Sequence, residues 1–140
     1  MSLSLETSLS INAPVEKVWQ ALTDADLVRQ YFFGTNLVTD WKVGSPIYFR
    51  GEYEGKAYED KGVVLEFVPQ KSLRYSYLSS WSGKPDLPEN YAVVGYSVEA
   101  TDGQTTVTVT QDSIENEEAR AHSEKNWQWI LGEMKKLVEG

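Results

Sequence analysis

The chain has 140 residues and no cysteine, with 13 basic against 21 acidic side chains and a formal net charge of -8. That length suits one domain over residues 1–140 with a sizeable core, and the missing thiols exclude disulfides, cysteine-type zinc sites and cysteine nucleophiles. The acidic balance repels phosphate backbones and anionic headgroups, and no Lys/Arg cluster offsets it, so neither nucleic acid nor a membrane is expected as a partner.

Met1-Ser2-Leu3-Ser4-Leu5 has neither a basic nor a long apolar region, and no stretch is apolar for long enough to span a bilayer, so a soluble, cytoplasmic chain is expected. From Leu3 to Ile11 apolar and polar residues alternate, which predicts a half-buried strand. Pro14 suits a helix start, and Val15, Val18, Trp19 and Leu22 form an apolar stripe. Thr23-Asp24 breaks this helix and can cap a second, whose apolar side is Leu27, Val28, Tyr31 and Phe32 and whose end is Gly34. Neither Met1–Leu3 nor Glu139-Gly140 is required by the chemistry of its neighbours.

A run of strand-like segments follows, separated by turn signals at Gly44-Ser45-Pro46, Glu54-Gly55, Pro69-Gln70-Lys71 and Asp102-Gly103. Short links favour antiparallel pairing. Parity places Ile47, Phe49 and Gly51 on one face, with Val63, Leu65 and Phe67, then Leu73, Tyr75 and Tyr77, then Val94, Tyr96 and Val98, then Val107 and Val109. No acid belongs to these inward sets, which argues against paired-carboxylate chemistry. One sheet face is thus apolar and aromatic and needs a cover.

The cover is a helix predicted from about Asn116 to Val138, with Glu115, Glu117 and Glu118 at its start and Lys135 and Lys136 near its end. Steps of 100° place Trp127, Ile130, Leu131, Met134, Leu137 and Val138 on one stripe. Traced backwards, that stripe meets Ser123, Arg120 and Asn116, small or polar where the second half is bulky. A cavity of ~300–1,000 Å³ is expected under the first half. The stretch from Ser79 to Asn90, with Trp81 in it, is a candidate lid or rim.

The order of a strand, two short helices, six strands and a long helix describes an α+β helix-grip arrangement, in which about seven antiparallel strands curve around the C-terminal helix. Particular residues sharpen this: Ile11-Asn12-Ala13-Pro14-Val15-Glu16-Lys17-Val18-Trp19-Gln20-Ala21-Leu22-Thr23-Asp24, then Val43-Gly44 before a strand, Gly62 through Val64 to Pro69 with Leu73-Arg74-Tyr75-Ser76-Tyr77, and Trp127. Together they resemble the activator of heat-shock-protein ATPase homologue-like family of the START-related SRPBCC superfamily. Asn126 stands where that family often has glycine, and Phe32-Phe33 replaces a Trp-rich pair. The resemblance implies a hydrophobic cavity between helix and sheet. It fixes no activity, because such folds host carriers, cyclases and co-chaperone domains.

The residues themselves favour a non-catalytic binder of a small, largely apolar molecule, with Phe33, Phe49, Tyr75, Tyr77, Trp81, Tyr96, Arg120 and Ser123 as the expected lining. Arg120 can pair with an anionic or carbonyl group, and the tyrosines can orient a polar end. His122, the single histidine, falls on the polar helix face without convergent partners; no catalytic residue, metal or cofactor is assigned. Trp129, opposite the core stripe, suggests a face for a homodimer or protein partner. A chaperone-associated interaction domain and a cyclase-like or hydrolytic enzyme are the alternatives.

Overall fold

The structure, a computed structural model, describes residues 3–32, 34–79 and 83–139, without the side chain of Tyr53. β1 (Leu3–Ile11) leads into α1 (Val15–Thr23) and α2 (Ala25–Tyr31). The strands β2 (Asn36–Val38), β3 (Pro46–Tyr53), β4 (Lys56–Val68), β5 (Ser72–Tyr77), β6 (Ala92–Thr101) and β7 (Gln104–Ile114) follow, and α3 (Glu117–Glu139) closes the chain. The strands form one antiparallel sheet in the order β1-β7-β6-β5-β4-β3-β2.

Local chemistry explains the joints. Pro14 stands at the N-cap of α1, one position before the first helical residue. Asp24 ends α1, its N–H donating to the Gln20 carbonyl, and its carboxylate caps α2, accepting from the N–H groups of Asp26 and Leu27 at 2.9 and 3.3 Å. Glu54-Gly55 and Asp102-Gly103 both have positive φ, as two-residue hairpin turns require when their twist matches the flanking strands. Glu139 has a role the sequence did not assign it: its carboxylate accepts the Asn12 N–H at 2.7 Å and pairs with Lys135, tying the end of α3 to the end of β1. Leu3 likewise pairs with Ile114.

The core lies between the concave sheet face and the helices. Trp127, Ile130, Leu131, Met134 and Val138 of α3 are buried there with Ile11, Val18, Leu73, Val107 and Val109, while Leu137 is half-buried. The expected facing of β4 needs correction. Val63 and Leu65 are 39% and 45% exposed, whereas Val64 is fully buried. A bulge explains it, because Val64 pairs with Tyr75 and Glu66 with Arg74, leaving Leu65 as an extra residue. Before the bulge even-numbered residues face inward; after it Phe67 does, stacking on Trp41 and meeting Trp19 at a tilt, each at 5.5 Å.

Candidate functional site

A cavity of about 410 Å³ lies between the sheet and the first two-thirds of α3. Its roof is Ser123, Asn126, Trp127 and Ile130 of α3. The floor comes from Phe49 on β3, Tyr58 and Asp60 on β4, Tyr75 and Tyr77 on β5, Val94 on β6 and Gln111 on β7, with Phe32 and Thr35 at one side and exposed Glu52 at the rim.

The aromatic rings make a continuous wall. Phe49 lies 5.3 Å from Tyr75 and 5.5 Å from Tyr77, and Phe32 stacks on Phe49 at 6.2 Å and meets the edge of Trp127 at 6.1 Å. Such tilted and edge-on pairs suit the ring quadrupoles. Behind the wall Tyr96 packs edge-on against Trp127 at 5.8 Å.

Three pairs of polar groups in the wall are joined to each other. Trp127 donates from Nε1 to Gln111 Oε1 at 2.8 Å, and the hydroxyls of Thr35 and Tyr58 share a hydrogen bond of 2.5 Å. Tyr75 and Tyr96 pack ring against ring at 6.5 Å. The Tyr77 hydroxyl donates to Asp60 Oδ2. Burial pushes Tyr75, Tyr77 and Tyr96 well above the usual phenol range, and donation to Asp60 and the charge of that carboxylate raise Tyr77 further. At neutral pH these phenols are therefore hydrogen-bond donors, not bases.

Two glycines shape the floor. The Tyr58 ring lies over Gly51, where a Cβ would come within 2.5 Å of its hydroxyl oxygen. At Gly62 a Cβ would stand 1.6 Å from the Ser76 carbonyl oxygen, so β4 and β5 approach there closely enough to exclude any side chain.

Among the expected lining, the structure places Phe49, Tyr75, Tyr77 and Ser123 at the cavity and Tyr96 directly behind it. Phe33 and Trp81 lie outside the described residues. Arg120 is elsewhere: it pairs with Glu117 at 3.1 Å and borders a shallow polar groove with Arg74, Asp112 and Glu124, across Gln111 from the cavity. His122 is exposed. The expectation of no inward acid is corrected by Asp60, which is only 8% exposed and faces the cavity, with Glu52 at the rim. The signal was present as the alternation Tyr58, Asp60, Gly62, Val64, on the parity opposite to the one read. Among the described residues, no group of three or more His, Asp or Glu side chains is placed to hold a metal ion.

The sequence matches the family model described as Activator of Hsp90 ATPase homolog 1-like protein over residues 12–139. None of the curated proteins matches it. Among solved structures, ChR145 from Cytophaga hutchinsonii is 47% identical, superposes with a TM-score of 0.86, and is covered over 94% of its length by 98% of this chain. The Aha1 dimer from Colwellia psychrerythraea, at 21% identity, has a TM-score of 0.76 with 98% and 96% of the two chains covered. CalU16 from Micromonospora echinospora, at 19% identity, has a TM-score of 0.75, with 98% of this chain and 76% of that one covered.

Proposed function

Because the chain belongs to the Activator of Hsp90 ATPase homolog 1-like family, within the helix-grip SRPBCC class, we propose that it acts as a single ligand-binding domain, taking up a small, largely apolar molecule between sheet and α3 without transforming it. The observation that carries this is the cavity itself: about 410 Å³, within the range of small-molecule sites, walled by the rings of Phe32, Phe49, Tyr75 and Trp127 with polar side chains set between and around them. Its pattern of mutually satisfied hydroxyls supports a non-catalytic role. Tyr77 and Tyr58 each hold a hydrogen-bond partner, and burial keeps the Tyr75 and Tyr77 hydroxyls protonated, which suits orienting a ligand more than moving protons. That no helix among the described residues is long and apolar enough to cross a membrane accords with a protein working in solution, which we place in the cytoplasm.

An environment-sensitive apolar dye should bind stoichiometrically with a dissociation constant near micromolar, about -8 kcal/mol. Ser123→Trp should fill the roof and abolish binding while the protein still melts cooperatively. Absence of saturable dye binding in the wild type, with a strongly lowered midpoint in Ser123→Trp, would overturn the reading and favour an interaction domain. For that second reading the supporting observation is Trp129, 49% exposed on the face of α3 away from the cavity, in a fold shared with the Aha1 dimer.

A further inference from the structure

We propose that the occupant of this cavity is an organic cation, an apolar body carrying a protonated amine, and that Asp60 is the residue selecting it. This rests on the reading of the cavity as a binding site and names the ligand class it takes.

The charges at the cavity have one sign. Among the described residues its walls include Asp60 and, at the rim, Glu52, but no lysine, arginine or histidine. The cations nearest in the sheet are committed elsewhere: Arg50 pairs with Glu59 at 2.6 Å, and Lys61 with Asp86 at 2.5 Å. Arg120, the one group from which sequence reasoning expected an anion anchor, lies beyond Gln111 in a different groove, bound to Glu117. The chain's net charge of -8 adds to the field.

The surroundings of Asp60 also suit a cation. Asp60 stands opposite Phe49 in the β3–β4 ladder, on the same face, so a carboxylate and an aromatic ring adjoin on the cavity floor. Tyr77 donates to Asp60 Oδ2 and its ring packs edge-on to Phe49. A carboxylate accepts several hydrogen bonds, so this contact holds the group in place while it receives a charged donor. Ring faces beside it attract the same ammonium through their quadrupoles. A carboxylate ligand would meet the like charges of Asp60 and Glu52 and no cation among the described lining residues.

A series on one scaffold tests this, with 2-naphthylmethylamine, 2-naphthylmethanol and 2-naphthoic acid titrated calorimetrically into the full chain at neutral pH. A charged head group loses hydration whichever its sign, so comparing amine with acid isolates the sign of the field. The amine should bind at least about tenfold more tightly than the acid, with the alcohol between, since charge-assisted hydrogen bonds are about twice as strong as neutral ones. Asp60→Asn, which still accepts from Tyr77, should erase the amine's advantage over the alcohol. Glu52→Gln, at the exposed rim, should reduce it by less. Should Asp60→Asn not fold, the wild-type series and the rim variant still decide. An acid binding as tightly as the amine overturns the proposal while leaving the binding cavity intact, as does an undiminished amine preference in a folded Asp60→Asn. Failure of all three probes and of the apolar dye overturns the cavity reading and this proposal with it.

Discussion

Raising the pH above the ordinary phenol value should unfold the protein through its buried tyrosines. Tyr31, Tyr75, Tyr77 and Tyr96 all have folded-state pKa values pushed well upward, with burial as the largest cause in each. In the unfolded chain each titrates near 10. A group whose folded value is raised contributes stability that is complete below its unfolded value and drains away as pH rises toward the folded one. At about pH 11 an unfolded phenol gains about 1.4 kcal/mol by ionising that its buried counterpart forgoes. Four such groups together remove about 5–6 kcal/mol, against a total stability of about 5–15 kcal/mol for a domain of this kind. Urea melts followed by tryptophan fluorescence across this pH range should show the midpoint falling steeply once the pH passes 10. Phenolate absorbance under native conditions should report no more than half of the eight tyrosines ionising before the fold is lost. Tyr96→Phe should remove one phenol's share of the alkaline loss. Reversible titration of all eight tyrosines with an unchanged urea midpoint would refute the buried hydroxyl network.

Trp127→Ala should cost about 3–5 kcal/mol in denaturant melts, since it removes a buried ring touching Phe32 and Tyr96 and leaves Gln111 Oε1 without its donor. Gly62→Ala should cost about 3 kcal/mol, because its methyl group meets the Ser76 backbone, which cannot withdraw without parting β4 from β5. Gly132→Ala should stabilise by about 1 kcal/mol, as the position is helical and a Cβ there meets nothing within 4 Å; an unchanged or lowered midpoint would contradict it. Trp129→Ala should leave stability within about 0.5 kcal/mol of wild type, and sedimentation at matched concentrations would show whether its face mediates association.

Where one physical rule governs a segment, the sequence is a faithful guide. Asp24 reads as a cap because a short carboxylate before an apolar run has one good use, and it makes that hydrogen bond. The Glu54-Gly55 and Asp102-Gly103 turns carry the left-handed backbone their residue types announce. The stripe from Trp127 to Val138 is buried as its spacing requires, apart from the half-exposed Leu137. Arg120 shows where the wheel stops being informative: two turns before Trp127 the helix stands at the sheet's margin, where a long charged side chain reaches Glu117 and the polar groove instead of the interior. Asp60 was hidden for a different reason. Val63, Val64, Leu65 and Phe67 are all apolar, so alternation cannot choose a parity there, and choosing by the majority assigned Asp60 to the solvent face.

The bulge at Leu65 is therefore the joint between core and site. β4 is 13 residues long, and an unbroken strand of that length would send Asp60 and Phe67 to opposite faces, since they differ by an odd number of positions. Either the carboxylate would leave the cavity or the ring would leave its place between Trp19 and Trp41. One unpaired residue resolves the conflict. The segment before it turns Tyr58, Asp60 and Val64 inward, while the segment after it, paired with β5, turns Phe67 inward. Overhead in α3, Leu131, Met134 and Val138 close the core while the smaller Ser123 and Asn126 roof the cavity. The bulge thus lets one strand serve both the aromatic contact of Phe67 with Trp19 and Trp41 and the cavity floor at Tyr58 and Asp60.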